Sequence, residues 1–243
     1  MCRMIGFASA EPLDMAPYLA RLSDFSRSGN LVDGWERRPG GNHPNGWGIA
    51  YRQEGQIRLL RIGKPAAADP MLSGVVGMTD RFIGHVRYAS NTATVNASNA
   101  HPFLVLGTAL AHNGTFRGEI GKTAQRRGVS DTLVFLERLA ARWEEKTLIR
   151  LREALAEILG DPEQVGDYSA ANLLIASGEA LFALRHYRRD GDYYTLFLRA
   201  APGKAVVASE PLDAAPGWRL LDDGELVELR PQAPRSAFLA AAV

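Results

Sequence analysis

Cysteine is almost absent from this 243-residue sequence, which has one, Cys2. A single cysteine cannot form an internal disulfide, whereas secreted domains usually carry several. No apolar run approaches the roughly 18 residues that a membrane helix requires. The short apolar stretch after Arg3 is far below the roughly 15–30 residues of a signal peptide. Because these features are missing, we expect a cytoplasmic protein.

An excess of charge of one sign is missing as well. The sequence has 28 Lys and Arg residues against 27 Asp and Glu residues, so its formal net charge is +1. A nearly neutral chain lacks the basic surface that attracts nucleic acid or an anionic membrane, and we expect neither as a partner. The proportions of apolar residues (46%) and charged residues (23%) are those of a globular protein. They exclude a disordered, collagen-like or coiled-coil chain.

The sequence also lacks the usual signatures of metal and nucleotide sites. Four histidines lie in separate segments without the paired spacing of zinc ligands: His43, His85, His101 and His112. Gly121-Lys122-Thr123 resembles the end of a phosphate-binding loop, but Phe116 stands where that loop needs glycine. The Gly-x-Ser-x-Gly motif of serine hydrolases does not occur. We therefore expect no metal and no cofactor.

Hydrophobic periodicity predicts strands, then helices, then strands again. Strands are predicted at residues 4–9, 46–52, 56–62, 81–88, 171–176, 180–186, 193–199 and 205–208, with one or two more at 103–112 and a last pair near 218–229. Helices are predicted at 14–25, 69–76, from 130 onwards and at 147–160, with Ser130 and Thr147 as N-caps. The segments 26–46 and 89–100 are predicted loops. With no repeat or linker in between, we expect one α+β domain, residues 2–243, with antiparallel sheets.

The position of Cys2 directly after Met1 points to a catalytic role. Removal of the initiating methionine is favoured before a small residue, so we expect the mature chain to begin at Cys2. A free α-amine has a reference pKa of about 7.7–8.0, and its neutral form can accept the thiol proton as the sulfur attacks a carbonyl. Such an N-terminal nucleophile needs no His or Asp partner. The alternative is a cysteine without a catalytic role near the start of a strand.

Four segments together resemble the class II (N-terminal-nucleophile) glutamine amidotransferases. They are Met1-Cys2-Arg3, Gly84-His85-Val86-Arg87-Tyr88-Ala89, Ala111-His112-Asn113-Gly114 and Ser130-Asp131-Thr132. Their order and separation make the set specific. Three further segments are similar to those of stand-alone members: Asn45-Gly46-Trp47-Gly48-Ile49, Asn99-Ala100-His101-Pro102-Phe103 and Val207-Ala208-Ser209-Glu210-Pro211-Leu212. Arg3 after Cys2 and Tyr88 after Arg87 also favour that branch, because many synthase-linked members have Cys-Gly and Arg-Trp there.

The resemblance implies that Cys2 is the nucleophile and that Asn113 and Gly114 form the oxyanion hole. The side-chain amide of Asn113 and the backbone N–H of Gly114 would donate to the oxygen that gains charge when the sulfur attacks. Taken alone, Asn113-Gly114 is equally consistent with a hairpin turn.

The resemblance also implies that Arg87 binds the α-carboxylate of glutamine and that Asp131 binds its α-ammonium. A guanidinium suits a carboxylate because it offers two parallel charge-assisted hydrogen bonds. The alternatives are a surface arginine at a strand end and a plain helix cap, which Ser130 can provide while Asp131 faces the pocket. The residues expected in the pocket wall are Tyr88, Trp47 and His112.

The fold implied by the resemblance is a four-layer αββα sandwich of the N-terminal-nucleophile hydrolase type. The reaction implied is hydrolysis of the γ-amide of glutamine through a γ-glutamyl thioester, with a separate synthase subunit as the candidate partner that uses the ammonia. One alternative is hydrolysis of a larger γ-glutamyl amide, as by the γ-glutamyl hydrolase of ergothioneine biosynthesis, which has a similar Met-Cys-Arg start and Ala-Ser-Glu-Pro segment. Such a substrate needs a pocket that is open beyond the γ-carbonyl, whereas a strict glutaminase closes it. Another alternative is a catalytically silent γ-glutamyl-binding regulatory subunit.

Overall fold

The computed structural model describes residues 2–29 and 41–239. The strands in these ranges are β1 (Arg3–Asp14), β2 (Trp47–Gln53), β3 (Gln56–Ile62), β4 (Met78–Val86), β5 (Phe103–Val105), β6 (Thr108–Gly114), β7 (Ala171–Ala176), β8 (Leu181–Arg185), β9 (Phe197–Ala201), β10 (Lys204–Ala208), β11 (Arg219–Leu220), β12 (Glu225–Leu229) and β13 (Arg235–Phe238). The helices are α1 (Ala16–Arg27), α2 (Pro70–Gly74), α3 (Glu119–Arg127), α4 (Asp131–Arg142), α5 (Leu148–Gly160) and α6 (Pro162–Val165). None of these helices is both long and apolar enough to cross a membrane. Two predictions lie outside the described ranges. They are the removal of Met1 and the part of the predicted loop at positions 30–40.

The strands form two antiparallel sheets. The first has the order β11-β9-β10-β1-β4-β2-β3, and the second has the order β13-β12-β8-β7-β6-β5. β1 lies in the middle of the first sheet, between β10 and β4, and Arg3 pairs with Val86. β6 lies between β5 and β7 in the second sheet, and Asn113 pairs with Asn172. The start of β1 and the end of β6 are therefore held by neighbours on both sides.

Both faces of the first sheet are covered along the first half of β1, which explains why residues 4–8 are all apolar. Ile5 and Phe7 pack with α1, whereas Met4 and Ala8 face the second sheet. The outer face of the second sheet packs against α3, α4, α5 and α6. The order of layers is thus helices, sheet, sheet, helices, and the predicted α+β class with a four-layer αββα sandwich is confirmed.

Small side chains fill much of the space between the sheets. Seven of the seventeen buried residues in this layer are alanines: Ala8, Ala50, Ala109, Ala111, Ala176, Ala183 and Ala205. Gly6 contributes to the same layer, because a Cβ there would meet Leu174 and Val207 at 3.2 Å. β1 and β6 can therefore approach each other closely.

Some elements match the predictions and others do not. β3 and β7 have the predicted bounds, and α5 begins directly after its Thr147 cap, as predicted. α3, α6 and β13 were not predicted. α3 has a polar sequence of which only Ile120 and Ala124 are buried, and β13 is mostly exposed. The strand predicted at 193–199 begins only at Phe197, because the backbone N–H groups of Tyr193 and Tyr194 bind the Asp190 carbonyl in a turn.

Candidate active site

A cavity of about 630 Å³ opens where β1 begins and where β4 and β6 end. Its wall contains seven of the eight residues that the sequence motifs nominate: Cys2, Arg87, Tyr88, His112, Asn113, Gly114 and Asp131. These residues come from four segments far apart in the chain. The cavity is therefore the place where the motifs converge.

Cys2 lies in the cavity wall with 7% of its surface exposed. The backbone N–H of Tyr88 donates to the Cys2 sulfur at 3.5 Å, and the thiol lies 3.8 Å from the Tyr88 carbonyl oxygen. The backbone nitrogen of Cys2 donates to Oδ1 of Asn113 at 2.9 Å. The thiol and the backbone nitrogen of one residue thus each have a fixed polar neighbour at the cavity.

The Asn113 side chain is oriented by its contact with Cys2. Because Oδ1 accepts the hydrogen bond from the Cys2 nitrogen, the amide nitrogen Nδ2 points away from it. Nδ2 is buried and has no hydrogen-bond partner within residues 2–29 and 41–239. A buried donor without a partner costs stability and calls for an explanation. Here it is available to a ligand oxygen.

Gly114 follows Asn113 and also lines the cavity. A Cβ at this position would collide with the carbonyl oxygen of Ala170 and with the imidazole of His112. Glycine is therefore required here, since β6 and the start of β7 approach too closely for a larger residue.

Arg87 is buried, with 5% of its surface exposed, and directly follows β4. Its Nη1 donates to the Thr94 carbonyl at 2.6 Å, and its Nη2 donates to the Thr94 hydroxyl at 2.7 Å. Burial lowers the pKa of Arg87, and the neighbouring Cys2 and Asp131 oppose that shift. Thr94 thus fixes the guanidinium, whose five N–H donors are more than Thr94 uses.

Asp131 is the first residue of α4. Its Oδ2 accepts the backbone N–H of Phe116 at 2.7 Å, and its Oδ1 accepts the N–H of Thr132 at 3.0 Å. The Ser130 hydroxyl donates to Oδ1 at 3.2 Å and caps the helix by accepting from Thr132. The arrangement is the predicted one, in which Ser130 caps the helix while Asp131 faces the pocket.

Three buried histidines connect the parts of the site: His101 and His112 line the cavity wall, and His85 packs behind them. His101 Nδ1 accepts the backbone N–H of His112 at 3.4 Å, and its Nε2 donates to the Ser130 hydroxyl at 3.3 Å. His85 Nε2 donates to the His112 carbonyl at 3.3 Å, and the rings of His85 and His101 are 4.5 Å apart. These contacts join the strand that carries Asn113 to the helix end that carries Asp131.

Burial keeps all three imidazoles neutral. It lowers the pKa of His85 from 6.5 to about 3, and it also lowers the pKa of His101 and of His112. His112 Nε2 faces the Ala170 carbonyl at 3.2 Å and so carries the proton, while Nδ1 accepts from the Thr132 hydroxyl at 3.1 Å. The three neutral imidazoles therefore act through their hydrogen bonds, which hold Asn113 and Asp131 in place.

The structure corrects the prediction that Trp47 lies in the pocket wall. Trp47 is fully buried in the outer layer between the first sheet and α1. Its indole nitrogen donates to Asp69 Oδ2 at 2.9 Å. Both faces of β2 are covered, so strand alternation places this side chain on the helix face of the sheet. Tyr88, in contrast, does line the cavity and is 37% exposed.

Further cavity residues have no motif that could have identified them. Ser90, Ser169 and Tyr194 line the wall, and so do the charged residues Arg117, Asp167, Arg189 and Asp190. The Tyr194 hydroxyl donates to Ser169 at 2.8 Å, and Arg189 pairs with Asp167 at 2.9 Å. These residues lie on loops that only the sheet order brings to the site. Within the described ranges, no three His, Cys, Asp or Glu side chains cluster in a way that could hold a metal ion.

The sequence has clear relatives. Residues 1–204 match the family described as glutamine amidotransferases class-II. The chain is 30% identical over 191 residues to an uncharacterised protein of Methanocaldococcus jannaschii, an alignment that covers 71% of this chain and 50% of that protein. The chain thus spans about half the length of that relative. It is 28% identical over 190 residues to the gamma-glutamyl-hercynylcysteine sulfoxide hydrolase of Mycolicibacterium smegmatis, with coverages of 76% and 78%.

Solved structures share the fold. A glutamine aminotransferase class-II domain protein from Silicibacter pomeroyi superposes with a TM-score of 0.64 at 19% identity, covering 98% of this chain and all of that one. The glutamine phosphoribosylpyrophosphate amidotransferase of Bacillus subtilis gives a TM-score of 0.64 at 21% identity, covering 99% of this chain and 50% of that one. At these identities the similarity establishes the arrangement of the two sheets and their helices.

Proposed function

The chain belongs to the class-II glutamine amidotransferases, and on that basis we propose that it hydrolyses γ-glutamyl amides with Cys2 as the nucleophile. The observation that carries the proposal is the Asn113 amide. Its Oδ1 holds the Cys2 nitrogen, and its buried Nδ2 has no partner in the described part of the chain. An oxyanion that forms beside the Cys2 sulfur would supply that partner.

The substrate's α-amino acid head binds on one side of Cys2. Arg87, held by Thr94, binds the α-carboxylate, and Asp131 binds the α-ammonium. Both charged groups are already held by hydrogen bonds within the protein, so little reorganisation is needed when the substrate arrives. Together they select a free α-amino acid and place its γ-carbonyl at the sulfur.

Acylation begins when the α-amine of Cys2, freed by removal of Met1, takes the thiol proton. The sulfur attacks the γ-carbonyl carbon, and the resulting oxyanion is bound by Asn113 Nδ2 and the Gly114 N–H. The tetrahedral intermediate collapses by breaking the C–N bond. The leaving amine takes the proton from the Cys2 ammonium, and a γ-glutamyl thioester remains.

Deacylation repeats these steps with water as the nucleophile. The Cys2 amine takes a proton from the water, whose oxygen attacks the thioester carbonyl. The same two donors bind the second oxyanion. Collapse breaks the C–S bond, the sulfur recovers its proton from the amine, and glutamate leaves.

The size of the cavity favours an amide larger than glutamine as the substrate. Ligand pockets typically measure roughly 300–1,000 Å³, and the cavity here, at about 630 Å³, has Ser169 and Tyr194 in its wall in addition to Cys2 and the head-binding residues. Glutamine releases only ammonia and needs no such space. The similarity to the gamma-glutamyl-hercynylcysteine sulfoxide hydrolase of Mycolicibacterium smegmatis supports the same choice. Three further expectations stay predictions: membership of the stand-alone branch, a separate synthase subunit and a cytoplasmic location. The silent regulatory subunit stays the alternative to catalysis.

The proposal is tested by the intact mass of the protein after exposure to a diazo-ketone analogue of glutamine. We expect a single adduct on a chain that lacks Met1, blocked by excess glutamine, and no adduct on the Cys2→Ala variant. Hydrolysis of γ-glutamyl amides should be lost in the same variant. A wild-type chain that has lost Met1, forms no adduct and hydrolyses neither glutamine nor any γ-glutamyl amide would overturn the proposal.

A further inference from the structure

Different strands and loops lie on the two sides of Cys2, which are called its two flanks below. In the first sheet, β1 lies between β4, which leads to Arg87, and β10. In the second sheet, β6 lies between β5 and β7, which begins just after Ser169. Tyr194 lies on the loop that leads into β9, the neighbour of β10.

Side-chain contacts align these flanks across the two sheets. On one flank, the ring of His85 (β4) is 4.5 Å from that of His101, which precedes β5 and binds Ser130 next to Asp131. On the opposite flank, the Tyr193 ring lies 5.9 Å from the guanidinium of Arg3, which reaches towards the segment after β10. Arg87 and Asp131 therefore lie on one side of Cys2, and Ser169 and Tyr194 lie on the other.

This geometry fixes the direction in which the leaving group extends. If the α-amino acid head binds Arg87 and Asp131 and the γ-carbonyl lies at Cys2, the substituent on the amide nitrogen points to the other flank. There the cavity continues along Ser169 and Tyr194 to Arg189. The inference rests on the proposed function, because it needs the head to bind as described.

We infer that this flank is a leaving-group subsite in which Arg189 binds the carboxylate of an amino acid, so that the substrates are γ-glutamyl amides of amino acids. Arg189 uses one N–H donor on Asp167, at 2.9 Å, and its other donors have no partner in the described part of the chain. A planar guanidinium presents two parallel donors, which match a carboxylate.

The neighbouring residues suit the same ligand. The hydroxyl groups of Ser169 and Tyr194, 2.8 Å apart, offer hydrogen bonds to a polar leaving amine. Asp190 has a positive φ of 57°, and its carbonyl accepts the N–H groups of Tyr193 and Tyr194. This turn holds Tyr194 close to Arg189 in the cavity wall.

The test compares two substrates, γ-glutamylglycine and γ-glutamylglycinamide. The leaving group of the first carries a carboxylate, and that of the second carries an uncharged carboxamide in its place. In the wild-type enzyme we expect kcat/KM to be about tenfold higher for γ-glutamylglycine, as for the gain of one charge-assisted hydrogen bond. In Arg189→Gln the ratio should fall to near one. Arg188→Gln is the matched control. Arg188 packs on the Tyr168 ring at 4.7 Å and is not among the residues of the cavity wall, so the ratio should not change.

The outcomes separate the two proposals. A processed enzyme that hydrolyses neither amide nor glutamine contradicts the proposed function. An enzyme that hydrolyses both amides with a ratio near one contradicts the subsite, and so does a ratio that Arg189→Gln leaves intact. The wild-type ratio decides even if that variant folds poorly, and Arg189→Glu should invert the preference towards the uncharged amide.

Discussion

The guanidinium of Arg3 forms a buried ion pair with the carboxylate of Glu210. The two side chains are 2% and 13% exposed, and they join the residue after the nucleophile to the segment after β10. Nη1 of Arg3 also donates to the Cys2 carbonyl at 3.2 Å. Two sequence features that look independent, the Cys2-Arg3 start and the Ser209-Glu210-Pro211 segment, thus form one contact behind the nucleophile.

Removing one member of this pair should be costly. We expect Glu210→Gln to lower the free energy of unfolding by about 3 kcal/mol or more, since a buried charge is left without its partner. Urea denaturation measures the change. Glu157→Gln is the control, because it breaks an exposed pair with Arg142 and should cost less than about 1 kcal/mol. Equal effects of the two variants would show that the buried pair has no special role.

The oxyanion role of Asn113 predicts a loss of turnover. Asn113→Ala should lower kcat by roughly a hundredfold or more and change KM little, because the lost hydrogen bond forms only as the carbonyl oxygen gains charge. Steady-state kinetics with γ-glutamylglycine measure both constants. The thermal midpoint of the variant should fall, because alanine also removes Oδ1, the acceptor of the Cys2 nitrogen, and leaves that buried donor without its partner. A variant with wild-type kcat would exclude Asn113 from the oxyanion hole.

For Arg87 and Asp131, which bind the α-amino acid head, we expect a change in KM and a smaller change in kcat. Arg87→Lys and Asp131→Asn should each raise KM by roughly tenfold or more, the effect of losing a charge-assisted hydrogen bond, while kcat changes less. Arg52→Lys serves as a control because Arg52 pairs with Asp80 and does not line the cavity. If Arg87→Lys and Asp131→Asn behave like this control, the head does not bind there.

The buried histidines make stability depend on pH. Burial lowers the pKa of His85 to about 3, and the pKa of His101 and of His112 also falls. Below about pH 6.5 the unfolded chain therefore binds protons that the folded chain does not, so the free energy of unfolding decreases as the pH falls. The decrease should be about 1.4 kcal/mol per pH unit for each such histidine. It should continue for His85 towards pH 3.

Urea denaturation at pH 7.5, 6.0 and 5.0 tests this dependence. His85→Gln removes one titrating group and should reduce the loss of stability between pH 6.0 and 5.0 relative to wild type. His186→Gln is the control, because His186 is partly exposed and pairs with Asp223. Parallel curves for wild type and His85→Gln would show that His85 titrates normally in the folded protein.

Local signals in the sequence predicted the elements that depend on neighbours along the chain. Thr147 and Gly160 bound α5 because a cap and a terminal glycine act within one helical turn. α3 escaped prediction because only Ile120 and Ala124 are buried, which leaves too little periodicity to recognise. The placement of Trp47 could not be predicted, since both faces of its strand are covered and alternation alone does not say which face meets which layer.

The residues of the site also fall into two groups, those that sequence motifs predict and those that they do not. The residues around Cys2 were accessible from motifs because a few residue types in short segments provide the chemistry. Ser169, Tyr194 and Arg189 carry no such pattern. Their position depends on the order of β6, β7 and β8 in the second sheet, which no short stretch of sequence encodes.

The nucleophile and the oxyanion donor belong to different sheets, so their separation is set by what lies between those sheets. The alanines of that layer, Ala8 and Ala111 among them, act as a spacer of defined thickness. Lengthening one of these side chains by a methyl group or two would push the sheets apart, as overpacking does in other cores. The Cys2 sulfur and the Asn113 amide would then move relative to each other although neither had been altered. The size of apolar side chains remote from the cavity thus determines the distance between the nucleophile and the oxyanion donor.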